Sequence, residues 1–304
     1  MKTGWIFCDS GKVGSLKQAE ALAEKLHLNV QTFDVNLSFP WRYLPPQAGL
    51  LSINPLPRSI KRPYPDVVIG IGRQSVLPTL YMRHFSKTIF IQNPKINPQY
   101  FDCVIAPQHD NLSAKNVINI TGSLHKISPE YIANLPVSKF QSTKPMIAIF
   151  IGGNSKHVTY TDDIMHAMCA NFSALANQGY DLLITPSRRT QKEHVDIIQN
   201  SLGKTALHIW DLKSDNPYQD YLKAASNFIV TSDSISMMSE LCSTGKPTYL
   251  IDVGVTKQKF RNFIKNLYDL KAVKPLESKL VDFKPHVLTD LTDCMSKIKT
   301  LIRD

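Results

Sequence analysis

Apolar residues fall along this chain in short runs, each closed by a turn of glycine, proline or polar residues. Gly4–Cys8, Asp66–Gly70, Thr88–Gln92, Cys103–Ala106 and Val117–Ile120 are such runs. Met146–Ile151, Leu182–Thr185, Ala206–Ile209 and Asn227–Thr231 repeat the pattern further on. Short runs rich in Val and Ile, without polar alternation, predict strands buried on both faces of a parallel sheet. A weaker strand is expected near Asn29–Val35, and another after Pro247. Between the strands the apolar period changes to that of a helix. Leu16, Ala19, Leu22, Ala23 and Leu26 share one face, as do Ile235, Met238, Leu241 and Cys242. Further helices are predicted over Asp162–Asn177, Gln191–Leu202, Lys257–Leu270 and Val287–Ile302, with one opening near Ser75 and running to about Phe85. Strand and helix in alternation define an α/β fold of parallel sheets with helices on both faces.

The pattern breaks once. Pro129, Pro136, Lys139, Ser142, Thr143, Lys144 and Pro145 form a polar, proline-containing connector, after which the strand–turn–helix grammar restarts. Two Rossmann-like domains are therefore expected, residues 1–138 and 139–304. The terminal helix 287–302 is expected to dock on a domain, and could return to the first. Ser38–Pro65 is long for a loop and carries Trp41, Arg42, Tyr43, Arg58, Lys61 and Arg62 among six prolines before Pro65. It reads as a packed flap with a basic stem.

Candidate chemistry gathers where strands end. In an open α/β sheet, ligands bind beyond the carboxyl ends of strands, where the next helix presents free N–H groups and its positive dipole end. Gly11, Lys12 and Gly14 follow the first strand and suit either a phosphate loop or a plain tight turn. Arg73 and Ser75 follow the strand at Asp66–Gly70, where a cation and a hydroxyl can hold an oxyanion. In the second half, Gly152, Gly153 and Asn154 form a matching glycine turn. Ser187, Arg188 and Arg189 end another strand, and a guanidinium offers a diphosphate a planar fork of donors. Ser232, Asp233 and Ser234 end Asn227–Thr231 and read as a ligand loop or as a helix cap, with Glu240 further along the same helix. His109 and Asp110 offer a general base, or a loop histidine beside a capping acid. On an extended segment the two would point apart.

Composition narrows the function. Of 304 residues, 43% are hydrophobic and 20% charged, an ordinary globular balance. No apolar run reaches a membrane span and no basic leader precedes an apolar core, so a cytoplasmic protein is expected. The net charge is +10, spread over both halves: fourteen Lys and Arg against eight Asp and Glu in residues 1–138, twenty-one against seventeen beyond. That excess suits an anionic small ligand or peripheral contact with an acidic membrane face; nucleic acid is disfavoured for want of any RNA- or DNA-binding motif. The five cysteines are scattered without CxxC spacing and read as small buried hydrophobes. Without a metal-binding motif, no metal and no cofactor are expected.

Taken together, these motifs resemble the elongated-mitochondria family, which groups a plant mitochondrial-fission factor with bacterial proteins. The residues that carry the resemblance are Asp9-x-Gly11-Lys12-x-Gly14 with Gln18, Gly72-Arg73, Phe101-Asp102, Ala106-Pro107-x-His109-Asp110 and Thr121-Gly122. They continue through Ile151-Gly152-Gly153, Pro186-Ser187-Arg188-Arg189, Asn216-Pro217-Tyr218, Thr231-Ser232-Asp233-Ser234, Ser239-Glu240 and Thr244-Gly245-Lys246-Pro247. The resemblance implies a glycosyltransferase-B-like architecture, two Rossmann-like domains facing across a cleft, with the donor mainly on the C-terminal domain. It implies a metal-independent glycosyltransferase- or epimerase-like protein that takes a nucleotide-diphosphate sugar as co-substrate. A loop resembling Ser232–Glu240 would hold the diphosphate, and an acid matching Glu240 the ribose hydroxyls. The alternative is a non-catalytic binding or scaffold protein acting through a partner or an anionic membrane.

Overall fold

The computed structural model describes residues 1–37, 39, 43, 56, 60 and 62–302. Most of the expected flap, including Trp41, Arg42, Arg58 and Lys61, lies outside the described residues. Two compact units divide the chain: Met1–Lys126 with Thr289–Asp304, and Ile127–Leu288. Residues 127–138 thus pack with the second unit. The polar connector is partly helical there, because Ser128 accepts the Tyr131 N–H and Pro129 occupies the first helical position.

The first unit holds β1 (Thr3–Asp9), α1 (Val13–Lys25), β2 (Asn29–Val35), β3 (Val67–Ile71), α2 (Val76–Met82), β4 (Lys87–Ile91), β5 (Cys103–Pro107) and β6 (Val117–Ile120). Its sheet runs β2-β1-β3-β4-β5-β6 with every pairing parallel. The strands are apolar throughout because both faces are covered. Ile6, Cys8, Ile69, Ile71, Ile89 and Ile105 pack on α1 and on the returning C-terminal helix, which contributes Cys294, Met295 and Ile298. Trp5, Phe7, Val68, Leu77 and Met82 fill the opposite face.

The second unit begins with α3 (Pro129–Asn134) and continues through β7 (Met146–Ile151), α4 (Asp162–Asn177), β8 (Asp181–Pro186), α5 (Lys192–Leu202) and β9 (His208–Ile209). It closes with α6 (Tyr218–Ala224), β10 (Asn227–Thr231), α7 (Ile235–Cys242), β11 (Thr248–Ile251), α8 (Gln258–Asp269) and β12 (Lys274–Pro275), before α9 (Asp290–Leu301) rejoins the first unit. The sheet order is β12-β11-β10-β7-β8-β9, again with all pairings parallel. Counted within this unit the order is 3-2-1-4-5-6, the dinucleotide-binding arrangement, which reverses between β7 and β10. Side chains of Ala148, Phe150, Phe228, Val230, Met238 and Leu241 fill one face; Ile147, Ile149, Ile184, Met165, Phe172 and Ile229 fill the other.

All five cysteines are buried and unbridged, small hydrophobes as the sequence indicates. No helix among the described residues is long and apolar enough to cross a membrane.

Candidate functional site

Two strand-end loops meet at the reversal of the second sheet. The glycine turn follows β7, and Ser232-Asp233-Ser234 follows β10. Asp233 joins them from the inside. Its side chain is 1% exposed, and its two oxygens accept from Gly153 N–H (3.2 Å), Arg189 Nη2 (2.7 Å), the Tyr160 hydroxyl (2.9 Å) and the Thr231 hydroxyl (2.7 Å). A carboxylate has about four acceptor positions. All of them are spoken for by the protein itself, so Asp233 shapes the loop and does not offer itself to a ligand.

The glycines have a related explanation. Gly152 N–H donates to Thr231 Oγ1 at 2.8 Å and its carbonyl accepts from Thr190 Oγ1 at 2.6 Å. A Cβ on Gly152 would stand 2.0 Å from the Asp233 oxygens, and one on Gly153 would stand 2.3 Å from the Arg189 backbone. The turn is glycine so that a buried carboxylate and a neighbouring backbone can approach. Its N–H groups, expected to face an anion, serve internal acceptors instead.

Other expected contacts also turn inward. Ser232 is fully buried; its hydroxyl donates to Asp252 (3.3 Å) and accepts from Val253 N–H (3.1 Å). Ser187 accepts from Arg189 N–H and shares a hydroxyl contact with Thr190. The Asn154 side chain accepts the Tyr160 N–H at 2.6 Å. Arg189 is divided: Nη1 donates to the Gly153 carbonyl (3.1 Å) and Nη2 to Asp233, while 40% of the side chain stays exposed.

What remains open lies around the start of α7. Ser234 caps that helix by accepting the Met237 N–H, leaving the first two N–H groups, of Ile235 and Ser236, without a partner inside the helix. Arg188 is exposed and makes no ion pair or hydrogen bond among the described residues. Glu240, further along α7, accepts a short hydrogen bond from the Tyr218 hydroxyl on α6. Burial, reinforced by the Glu240 charge, pushes that hydroxyl well above its usual range, so Tyr218 stays protonated and donates. Sequence patterns flag Tyr218 within Asn216-Pro217-Tyr218 but give no hint of its partner. Tyr160 and Thr190 carry no signal at all, because their partners are far away in sequence.

The first unit shows the same internal filling. Its sheet reverses between β1 and β3, and at that point Asp9 accepts the N–H groups of Gln74 (2.9 Å) and Ser75 (3.2 Å) at the start of α2. Gly72 has φ +100°, and a Cβ there would lie 2.5 Å from the Asp9 carboxylate. Burial raises the Asp9 carboxyl above its ordinary range, against the lowering effect of those N–H groups and of Lys12. Ser75 is buried and bonds the Gly72 carbonyl (2.8 Å), which takes it out of reach of an oxyanion. Gly11, Lys12, Gly14 and Arg73 are exposed. A third acid, Asp290 at the head of α9, accepts Thr121 and Gly122 N–H, both at 2.8 Å, beyond β6.

His109 and Asp110 do not sit on an extended segment. Gln108–Asp110 forms a 3-10 turn that brings His109 Nε2 to 4.0 Å from Asp110, close enough for an ion pair and too long for a hydrogen bond. The imidazole is 4% exposed. No group of three or more His, Cys, Asp or Glu among the described residues could hold a metal.

This is the glycosyltransferase-B class of α/β fold, built from two units that each carry a six-stranded parallel sheet. MurG from Acinetobacter baumannii superposes with a TM-score of 0.51 at 15% identity over 99% of this chain and 92% of its own. The UDP-GlcNAc 2-epimerase from Methanocaldococcus jannaschii gives 0.56 at 11% identity, covering 99% of both chains. At sequence level the chain belongs to the mitochondrial fission ELM1 family, whose model matches residues 13–302. It is 28% identical to the uncharacterized protein RP120 of Rickettsia prowazekii over 89% of each chain. It is 30% identical to the mitochondrial fission protein ELM1 of Arabidopsis thaliana, covering 69% of this chain and 57% of that relative's length.

Proposed function

We propose that the second unit binds a nucleotide-diphosphate sugar at the β7–β10 reversal, as a metal-independent glycosyltransferase- or epimerase-like protein would. One observation carries this reading. A loop made rigid by Asp233 leaves the N–H groups of Ile235 and Ser236 open at the start of α7, and Arg188, next in the chain to the Arg189 that binds Asp233, is exposed and has no partner among the described residues, a set of donors for an anion that needs no metal. Glu240, held by Tyr218, stands on the same helix to take ribose hydroxyls. The fold shared with a UDP-GlcNAc 2-epimerase supports the choice of ligand class. Calorimetric titration with UDP and UDP-GlcNAc tests it. The expected result is binding that Arg188→Ala weakens by roughly tenfold or more, since hydrogen bonds to charged groups contribute about 1.5–3 kcal/mol. No heat at millimolar ligand overturns it.

A second reading, a scaffold that keeps the fold without the nucleotide, is favoured by Asp9, Asp233 and Asp290. These acids occupy backbone N–H groups at three strand ends where such folds receive phosphate. A protein silent to nucleotides in calorimetry, but captured by vesicles of acidic lipid and released by salt, would behave as this reading requires.

A further inference from the structure

Beyond β11 the second unit has a groove of about 450 Å³ between the loop at 252–255 and one face of α8. Asp252, Gly254, Val255, Arg261, Lys265 and Tyr268 line it. The volume is within the range of small-ligand sites.

Its polar groups are arranged for a ligand that carries both a phosphate and hydroxyls. Arg261 is anchored through Nε, which donates to the Val255 carbonyl at 3.1 Å. Neither Nη group has a partner among the described residues, so the outer edge of the guanidinium fork is fixed and open. Lys265, one turn further, is exposed and bonded to Asp269 at 2.5 Å; with Lys257 it continues a stripe of cations spaced four residues apart. Tyr268 lines the same groove, and its hydroxyl has no hydrogen bond among the described residues. Burial and the Asp252 charge raise that hydroxyl above its ordinary range, which keeps it a donor. Asp252 uses Oδ1 to accept from Ser232 (3.3 Å) and Gly254 N–H (2.9 Å), leaving Oδ2 without a partner among the described residues. A bare phosphate would gain from Arg261, and from Lys265 in competition with Asp269, and be repelled by Asp252. A hydroxyl on the same ligand turns that carboxylate from a repulsive group into an acceptor.

We propose that the groove between the 252–255 loop and α8 binds a phosphorylated polyol, with the phosphate on Arg261 and Lys265 and a hydroxyl on Asp252. The site is separate from the α7 loop and does not depend on nucleotide binding there. Ser232 links the two, since it follows β10 in the loop before α7 and holds Asp252. The same chemistry exists in free sugar and polyol phosphates and in phosphoinositide headgroups.

The test titrates the full chain with myo-inositol 1-phosphate, inorganic phosphate and myo-inositol, and separately sediments it with phosphatidylcholine vesicles carrying phosphatidylinositol 4-phosphate. The expected result is that inositol phosphate, the vesicles or both are bound, with inositol phosphate roughly tenfold tighter than inorganic phosphate where the soluble ligand binds. Arg261→Lys, which keeps the charge and loses the fork, and Tyr268→Phe, which leaves the Val255 anchor untouched, should each weaken that binding severalfold. Binding of the soluble ligand without the vesicles assigns the site to a free metabolite, and binding of the vesicles alone assigns it to a lipid headgroup. The proposal is overturned if neither probe binds, if inorganic phosphate binds as tightly as the polyol phosphate, or if both variants bind as the parent does.

Discussion

Around Asp233 each hydrogen-bond partner constrains the others. Thr231 accepts the Gly152 N–H and donates to one carboxylate oxygen, Tyr160 donates to that same oxygen, and Arg189 and the Gly153 N–H take the other, the guanidinium neutralising the charge. Asp233→Asn keeps the size but turns one acceptor oxygen into a donor that faces donors. Breaking a buried ion pair costs about 3–5 kcal/mol, but a 40%-exposed Arg189 can rehydrate, so a loss of about 2–3 kcal/mol is expected. Urea unfolding followed by far-UV circular dichroism measures it, and a loss under about 1 kcal/mol would contradict the role given to Asp233. Gly152→Ala places its Cβ 2.0 Å from the same carboxylate and should cost about 1–3 kcal/mol by overpacking. The same variant should abolish any calorimetric signal from UDP, because the loop before α7 must shift to admit the methyl group.

Single elements owe their placement to polar latches as well as to apolar faces. Asp290 heads α9 and holds the N–H groups beyond β6, so Asp290→Ala should free the start of α9 and leave two part-buried N–H groups unpaired. Hydrogen exchange would then quicken in α9 and β6 while β7, β8 and β10 keep their protection. Lys246 latches α6 in a similar way: its Nζ donates to the carbonyls of Leu222 (2.7 Å), Lys223 (3.2 Å) and Ala225 (2.6 Å). Lys246→Met is expected to cost about 1–3 kcal/mol, the penalty for acceptors left unmet, and to loosen the helix that carries Tyr218. Strands and long helices were legible in the sequence because local periodicity encodes them: Met146–Ile151, Asn227–Thr231 and Asp162–Asn177 have the boundaries their apolar patterns predict. Strand order, and with it the reversal between β7 and β10, was not legible, because periodicity identifies a strand without naming its neighbour. The site was hidden for the same reason. Gly152 meets Thr231 across 79 residues and Tyr160 meets Asp233 across 73, so a turn that looked made for phosphate is made for a distant acid.

For the molecule as a whole, buried titrating groups set the response to alkali. Burial pushes the thiol of Cys8 up to about 11 and those of Cys103, Cys242 and Cys294 up to about 12, against 9.0 when free. Between pH 9 and 12 the unfolded chain gives up these protons while the native chain keeps them, so stability falls as pH rises. Lys246 acts in the opposite sense. Its amine is lowered from 10.5 to about 8, chiefly by burial and then by Lys223, so it adds stability as pH climbs from 8 to 10.5. Four thiols outweigh one amine. The thermal midpoint should therefore drop steadily above pH 9. Lys246→Met should steepen that drop below pH 10.5, and a flat profile would show that the thiols are not held as described.

The path of the backbone through the two units has a consequence for synthesis. The second unit is one uninterrupted stretch, Ile127–Leu288, whereas the first needs Thr289–Asp304 to complete it. On the ribosome, strands β1 to β6 emerge first, but their core stays open until Cys294, Met295 and Ile298 arrive. The unit translated first is thus finished last, after the second has had time to fold within the nascent chain. During that interval the apolar face awaiting α9 is the surface a chaperone would meet, and a ribosome stalled before residue 289 would display it indefinitely.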